Sequence, residues 1–133
     1  MMNNPMSARA AQTFTNHRVS RLRKGGLTDW QVNAVKALVL SDLEERCSLP
    51  RLAATARLSV GHFSKAFQLT CGMSPMKYVR HIKVEAACSL MLGDALPLSE
   101  IALQCGFSDQ SHFSRVFRSI TGHPPKQWQK KNS

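Results

Sequence analysis

Gln110, Ser111, Ser114 and Arg115 fall at the spacing of one exposed helical face, and together they offer an amide, two hydroxyls and a guanidinium. Such groups read flat, polar edges. An arginine can grip guanine O6 and N7 with two bonds, and a glutamine can do the same for adenine N6 and N7. Arg118, further along, suits a phosphate contact. Ser64, Lys65 and Gln68 make a corresponding set about fifty residues earlier. No pattern supports catalysis: there is no nucleophile elbow, phosphate-binding loop or pair of catalytic carboxylates, so neither catalytic residues nor a cofactor is expected. His62 and His112 stand beside phenylalanines without a carboxylate or cysteine at chelating spacing, which favours packing or phosphate contact. Cys47, Cys71, Cys88 and Cys105 are too far apart to close a zinc chelate, so no metal is expected. Cys88 and Cys105 occupy apolar positions, as buried free thiols in a reducing compartment do.

These side chains need helices to hold them, and helical periodicity runs through most of the chain. Residues 1–26 carry Arg9, Arg18, Arg21, Arg23 and Lys24 with no acid, and read as a disordered basic arm ending in a Gly25-Gly26 hinge. Order is expected from Thr28, where Thr28 and Gln31 have capping-box spacing. Val32, Val35, Val39 and Leu43 then share a face, and Asp42, Glu44 and Glu45 end that helix. Six further helices are expected and no strand. Ser48 opens one with Leu52, Ala53 and Ala56 inward, and Pro50 in its first turn. Ser59 opens the next, with Phe63, Ala66 and Phe67 inward, closed by Gly72. Ser74-Pro75 begins a long helix through Val79, Ile82, Ala86 and Leu90, closed by Gly93. A short helix carries Ile101, Ala102 and Cys105. Another follows Ser108, with Phe113, Val116 and Phe117 inward, ended by Gly122. Pro124-Pro125 starts a last turn holding Trp128, and Trp30 and Trp128 are both expected to be partly buried anchors.

The chain also repeats itself. Residues 49–59 (LPRLAATARLS) align with 98–108 (LSEIALQCGFS) at an offset of 49, and 62–67 (HFSKAF) with 112–117 (HFSRVF) at an offset of 50. Each copy has the layout of a helix-turn-helix: a small residue (Ala53, Ala102) for close helix approach, a short turn, a hydrophobic plug (Leu58, Phe107) and a serine starting the second helix. That second helix is the one that enters the major groove in such units. Over 133 residues the formal charge is +10, which favours a polyanionic partner. Residues 27–133 alone keep +5 on a surface of mixed sign. No apolar run approaches a membrane span or a signal sequence, which implies a cytoplasmic, nucleoid-associated protein without a membrane partner.

The run Ile101-Ala102-x-x-Cys105-Gly106-Phe107-Ser108-Asp109-Gln110-Ser111-His112-Phe113-Ser114-Arg115-Val116-Phe117, followed by Gly122 and Pro125, resembles the signature of AraC/XylS-type transcription regulators. The resemblance covers roughly residues 27–131. It implies an all-α domain of about seven helices, with helix-turn-helix subdomains at 27–74 and 94–133 joined by a linker helix at 75–93. It further implies a sequence-specific regulator of double-stranded DNA, an activator that contacts RNA polymerase, with its two recognition helices in adjacent major grooves. Two departures weaken the first unit. Arg57 stands where the second unit has Gly106, so a left-handed turn there costs about 1 kcal/mol. Gly61 stands where relatives present a larger side chain. No small-molecule effector site is evident, and the chain reads equally as a stand-alone regulator or as a domain of a longer one. The competing readings are a non-specific, nucleoid-type DNA-binding protein and a helical protein-interaction module.

Overall fold

In the computed structural model, residues 25–93 and 96–132 are described; the arm expected over residues 1–26 lies almost wholly outside them. The described residues form seven helices and no strand: α1 (Asp29–Ser41), α2 (Leu49–Thr55), α3 (Val60–Cys71), α4 (Pro75–Gly93), α5 (Leu98–Gln104), α6 (Gln110–Thr121) and α7 (Pro125–Asn132). The fold is all-α.

Helix α1 starts on the expected capping box, in which the Thr28 amide donates to Gln31 Oε1 at 2.9 Å. The amide of Leu27, one residue earlier, donates to Thr70 Oγ1 at 2.7 Å, and its side chain is fully buried. That ties the segment leading into α1 to α3. Helix α1 does not reach the acidic stretch expected to end it. Asp42 is extended at φ −155°, and Leu43 lies half-buried in the loop that leads back to α2.

The long helix α4 departs most from expectation. Its first half buries Tyr78, Val79 and Ile82 in a core with α1, α2 and α3. Its second half buries Val84, Ala87, Cys88 and Met91 in a separate core with α5, α6 and α7. At 3.6 residues per turn those two sets point in directions roughly 180° apart. A single stripe through Val79, Ile82, Ala86 and Leu90 therefore fails, and Ala86 and Leu90 are only half-buried. Where the faces exchange, His81, Ile82, Lys83 and Val84 are all buried in succession. Helix α4 is thus a wall of both cores.

The internal repeat extends to aromatic packing. Phe63 packs against Phe67 at 5.5 Å between ring centroids, and Phe113 against Phe117 at 5.4 Å. Phe67 meets Tyr78 edge-on at 5.1 Å, and Phe117 meets Trp128 in the same manner at 5.7 Å. The opening turn of α4 therefore does for the first core what α7, longer than the single turn expected, does for the second. Each edge-to-face pair adds about 0.5–1.5 kcal/mol beyond the area it buries.

Candidate nucleic-acid interface

The two hairpins share their backbone in detail. The Leu58 amide donates to the Ala53 carbonyl at 3.0 Å and the Phe107 amide to the Ala102 carbonyl at 3.0 Å. The residue before each donor is left-handed, Arg57 at φ 61° and Gly106 at φ 85°. This arrangement closes a helix with a left-handed residue just past its end. Ala53 and Ala102, both buried, let the next helix lie close.

Each second helix is then capped from its own N-terminus. Ser59 Oγ accepts from the His62 amide at 3.2 Å, and Asp109 Oδ1 accepts from the His112 amide at 2.7 Å. The cap of α6 is therefore Asp109 and not the expected Ser108. The one extra residue of the second copy is absorbed before the cap, and from there the two helices match at a constant offset of 50. Ser108 Oγ lies 3.2 Å from His112 Nδ1, and the His112 ring meets Phe107 edge-on at 5.4 Å. His112 thus braces the turn, whereas His62 is exposed.

Both helices bury one side and open the other. Phe63, Ala66, Phe67, Thr70 and Cys71 of α3 face inward, as do Phe113 and Phe117 of α6, while Val116 is half-buried. Lys65, Gln68, Gln110, Ser111, Arg115 and Arg118 are exposed, and Ser64 and Ser114 are half-buried beside them. All eight expected site residues lie off the core face. At the offset of 50 they pair as Ser64 with Ser114, Lys65 with Arg115 and Gln68 with Arg118. The same offset sets Val60, 40% exposed at the start of α3, opposite Gln110. Around Gly61 nothing lies within 4 Å of where a side chain would begin, so that position is open.

Trp30 departs from the partly buried anchor expected of it. Trp128 is buried, but Trp30 is 52% exposed and carries the Arg57 guanidinium over its ring at 5.9 Å from the centroid. It is a platform, because the N-terminal turn of α1 crosses the left-handed turn between α2 and α3. Gln31 Nε2 donates to the Ala56 carbonyl at 2.9 Å in the same crossing.

All four cysteines are buried free thiols. Burial pushes Cys71 and Cys88 up to about 12 and Cys105 up to about 11, so the reactive thiolate is suppressed. Among the described residues, no three His, Cys, Asp or Glu side chains gather as metal ligands would. No helix among them is long and apolar enough to cross a membrane.

Two capped, amphipathic second helices, each behind a left-handed turn and each open along a polar, cationic face, define a protein with duplicated helix-turn-helix units. The helix-turn-helix domain family profile, of the AraC type, matches residues 52–131, and the chain belongs to that family. The MmsAB operon regulatory protein of Pseudomonas aeruginosa is 29% identical over 110 residues, 83% of this chain and 35% of that protein. The transcriptional activator RhaR of Salmonella dublin is 33% identical over 88 residues, 66% of this chain and 31% of RhaR. The chain thus spans about a third of the length of these curated relatives. Among solved structures, an AraC-type regulator from Chromobacterium violaceum shares the fold, with a TM-score of 0.71 at 24% identity over 76% of this chain and 90% of that one. The DNA-binding domain of AdpA, solved with a target DNA, has a TM-score of 0.67 at 27% identity over 73% of this chain and 87% of that one.

Proposed function

We propose that this chain reads a two-part sequence in double-stranded DNA, laying α3 and α6 into adjacent major grooves on one face of the duplex, and so regulates transcription. The observation that carries this reading is the matched pair of open helix faces, Ser64, Lys65 and Gln68 on one and Gln110, Ser111, Ser114, Arg115 and Arg118 on the other. A packed helical repeat needs the inward phenylalanines but has no use for amides and cations repeated outward. A simple helix-turn-helix protein dimerises to place two such helices about 34 Å apart. Here a duplicated unit on α4 takes the place of the second subunit, and the site is asymmetric. The AdpA domain, solved on its target DNA, supports this reading through its shared fold.

Activation is the favoured mode, supported by the likeness to RhaR, a transcriptional activator, and it implies a contact with RNA polymerase. The chain works at the nucleoid in the cytoplasm and catalyses nothing. Selection of bound duplexes from a random pool tests the reading. The expected outcome is a motif in two parts whose centres lie about one turn apart, roughly 10.5 base pairs. Recovery of unselected sequence would show a non-specific, nucleoid-type binder instead.

A further inference from the structure

The two left-handed turns share one geometry yet have different surroundings, and the difference falls on Lys83. Arg57 is exposed and rests on Trp30. Gly106 is docked: a side-chain carbon added there would run into the Leu43 carbonyl oxygen and Lys83 Nζ. Lys83 comes from the midpoint of α4, where the helix exchanges one core for the other, and it is only 7% exposed. Its ammonium donates to the Glu45 carbonyl at 3.4 Å. Three pieces of chain therefore meet at one buried cation: the 42–47 loop of the first unit, the linker helix and the turn of the second unit.

A buried ammonium is an unusual choice for a joint. Desolvation works against its charge, and burial is the leading cause of a pKa held below the ordinary 10.5; Cys47, Cys105 and Asp42 act in the opposite direction and Arg46 with it. An ammonium nevertheless has three donors and no acceptor, which suits a loop that turns its carbonyls inward. Lys83 is also withdrawn from solvent, so its charge is not spent on phosphate.

We propose that Lys83 is a positioning residue, pinning the Gly106 turn of the second unit to the 42–47 loop of the first and so fixing the separation and rotation of α3 relative to α6. The inference rests on the two-part reading above. A stiff joint makes the second contact intramolecular only for half-sites in the matching phase, and the gain disappears where geometry forbids simultaneous engagement.

The test uses the full chain and the duplex it selects, together with the same duplex carrying three extra base pairs between the two parts, and each part alone. Wild type should lose about 100-fold in affinity on the insertion, the scale of linked binding. Lys83→Met should shrink that loss to less than about tenfold while its affinity for each isolated part stays within about twofold of wild type. Lys83→Arg, which keeps a cation, should restore the spacing preference. Thermal melting confirms that each variant is folded. If Lys83→Met does not fold, Gly106→Ala carries the same comparison from the other side of the seam, because its added carbon must prise the turn away. A folded Lys83→Met or Gly106→Ala with the wild-type spacing profile overturns the proposal, as does a folded Lys83→Arg that fails to restore it. A wild type that selects a motif but tolerates the insertion overturns it while leaving the DNA-binding reading intact. A wild type that selects no motif overturns both.

Discussion

Arg115 and Lys65 occupy the same position on the two second helices, yet they are different tools. A guanidinium offers a rigid fork that matches two acceptors at once, whereas an ammonium is a flexible point charge. Base discrimination should therefore weigh more heavily on α6. Arg115→Ala is expected to lose about 1–3 kcal/mol on the selected duplex and much less on random DNA, measured by fluorescence anisotropy. Equal losses on both would reduce Arg115 to a phosphate contact. Arg57 poses a smaller contest. Its left-handed backbone costs about 1 kcal/mol, and the Trp30 stack returns about 0.5–1 kcal/mol at an exposed site. Arg57→Gly should accordingly change stability little in the wild type, but stabilise a Trp30→Ala background by about 1 kcal/mol in urea unfolding. The same gain in both backgrounds would show that Trp30 contributes nothing to holding the turn.

At the scale of elements, helix ends decide how the polar faces are presented. Asp109 holds α6 at its first turn, so Asp109→Ala should lower stability by about 0.5–2 kcal/mol. Ser108→Ala should do less, since Ser108 only touches the His112 ring; chemical denaturation of the two variants distinguishes the roles. Gly61→Ala should stabilise by about 0.5–1 kcal/mol, because the position is helical and open. The positions of the helices and the inward phenylalanines were legible in the sequence, because apolar spacing and capping residues are local signals. The cap of α6 was less so. Ser108 and Asp109 are both good capping residues, and the repeat alone left open which of them was the extra one. The end of α1 is not legible, because the apolar pattern through Leu43 continues past Asp42, where the backbone leaves the helix; Leu43 is half-buried in the loop and not in the helix.

At the scale of the whole molecule, the arrangement depends on α4 serving two cores, and no local pattern records that. Periodicity along 75–93 averages two opposite faces into one weak stripe, so the crossover at His81–Val84 appears only once both cores are assembled. The exposure of Trp30 is hidden from the sequence for a related reason, since it depends on how α1 crosses the turn between α2 and α3. In the proposed docking, the open cationic faces make binding a long-range electrostatic event. The logarithm of affinity should fall linearly with the logarithm of salt concentration, with a slope near −0.9 per phosphate neutralised, and a flat response would contradict the proposed docking. The crossover itself carries a proton-linked weakness. His81 is buried there at 7% exposure, and burial, then Lys77 and Arg80, bring its pKa down from 6.5 to about 4. Between those values the unfolded chain holds a proton on this imidazole that the folded chain lacks. Stability should thus be fully present above pH 6.5 and be lost as pH falls toward 4. Other groups titrate in the same range, so the informative quantity is the difference between wild type and His81→Leu in thermal melts from pH 7 to 4.5, a span set by the two ends of that shift. The wild-type melting temperature should fall more steeply with acid than that of the variant. Parallel curves would mean that the imidazole is as easily protonated in the folded joint as in the open chain, and that the seam between the two units admits water.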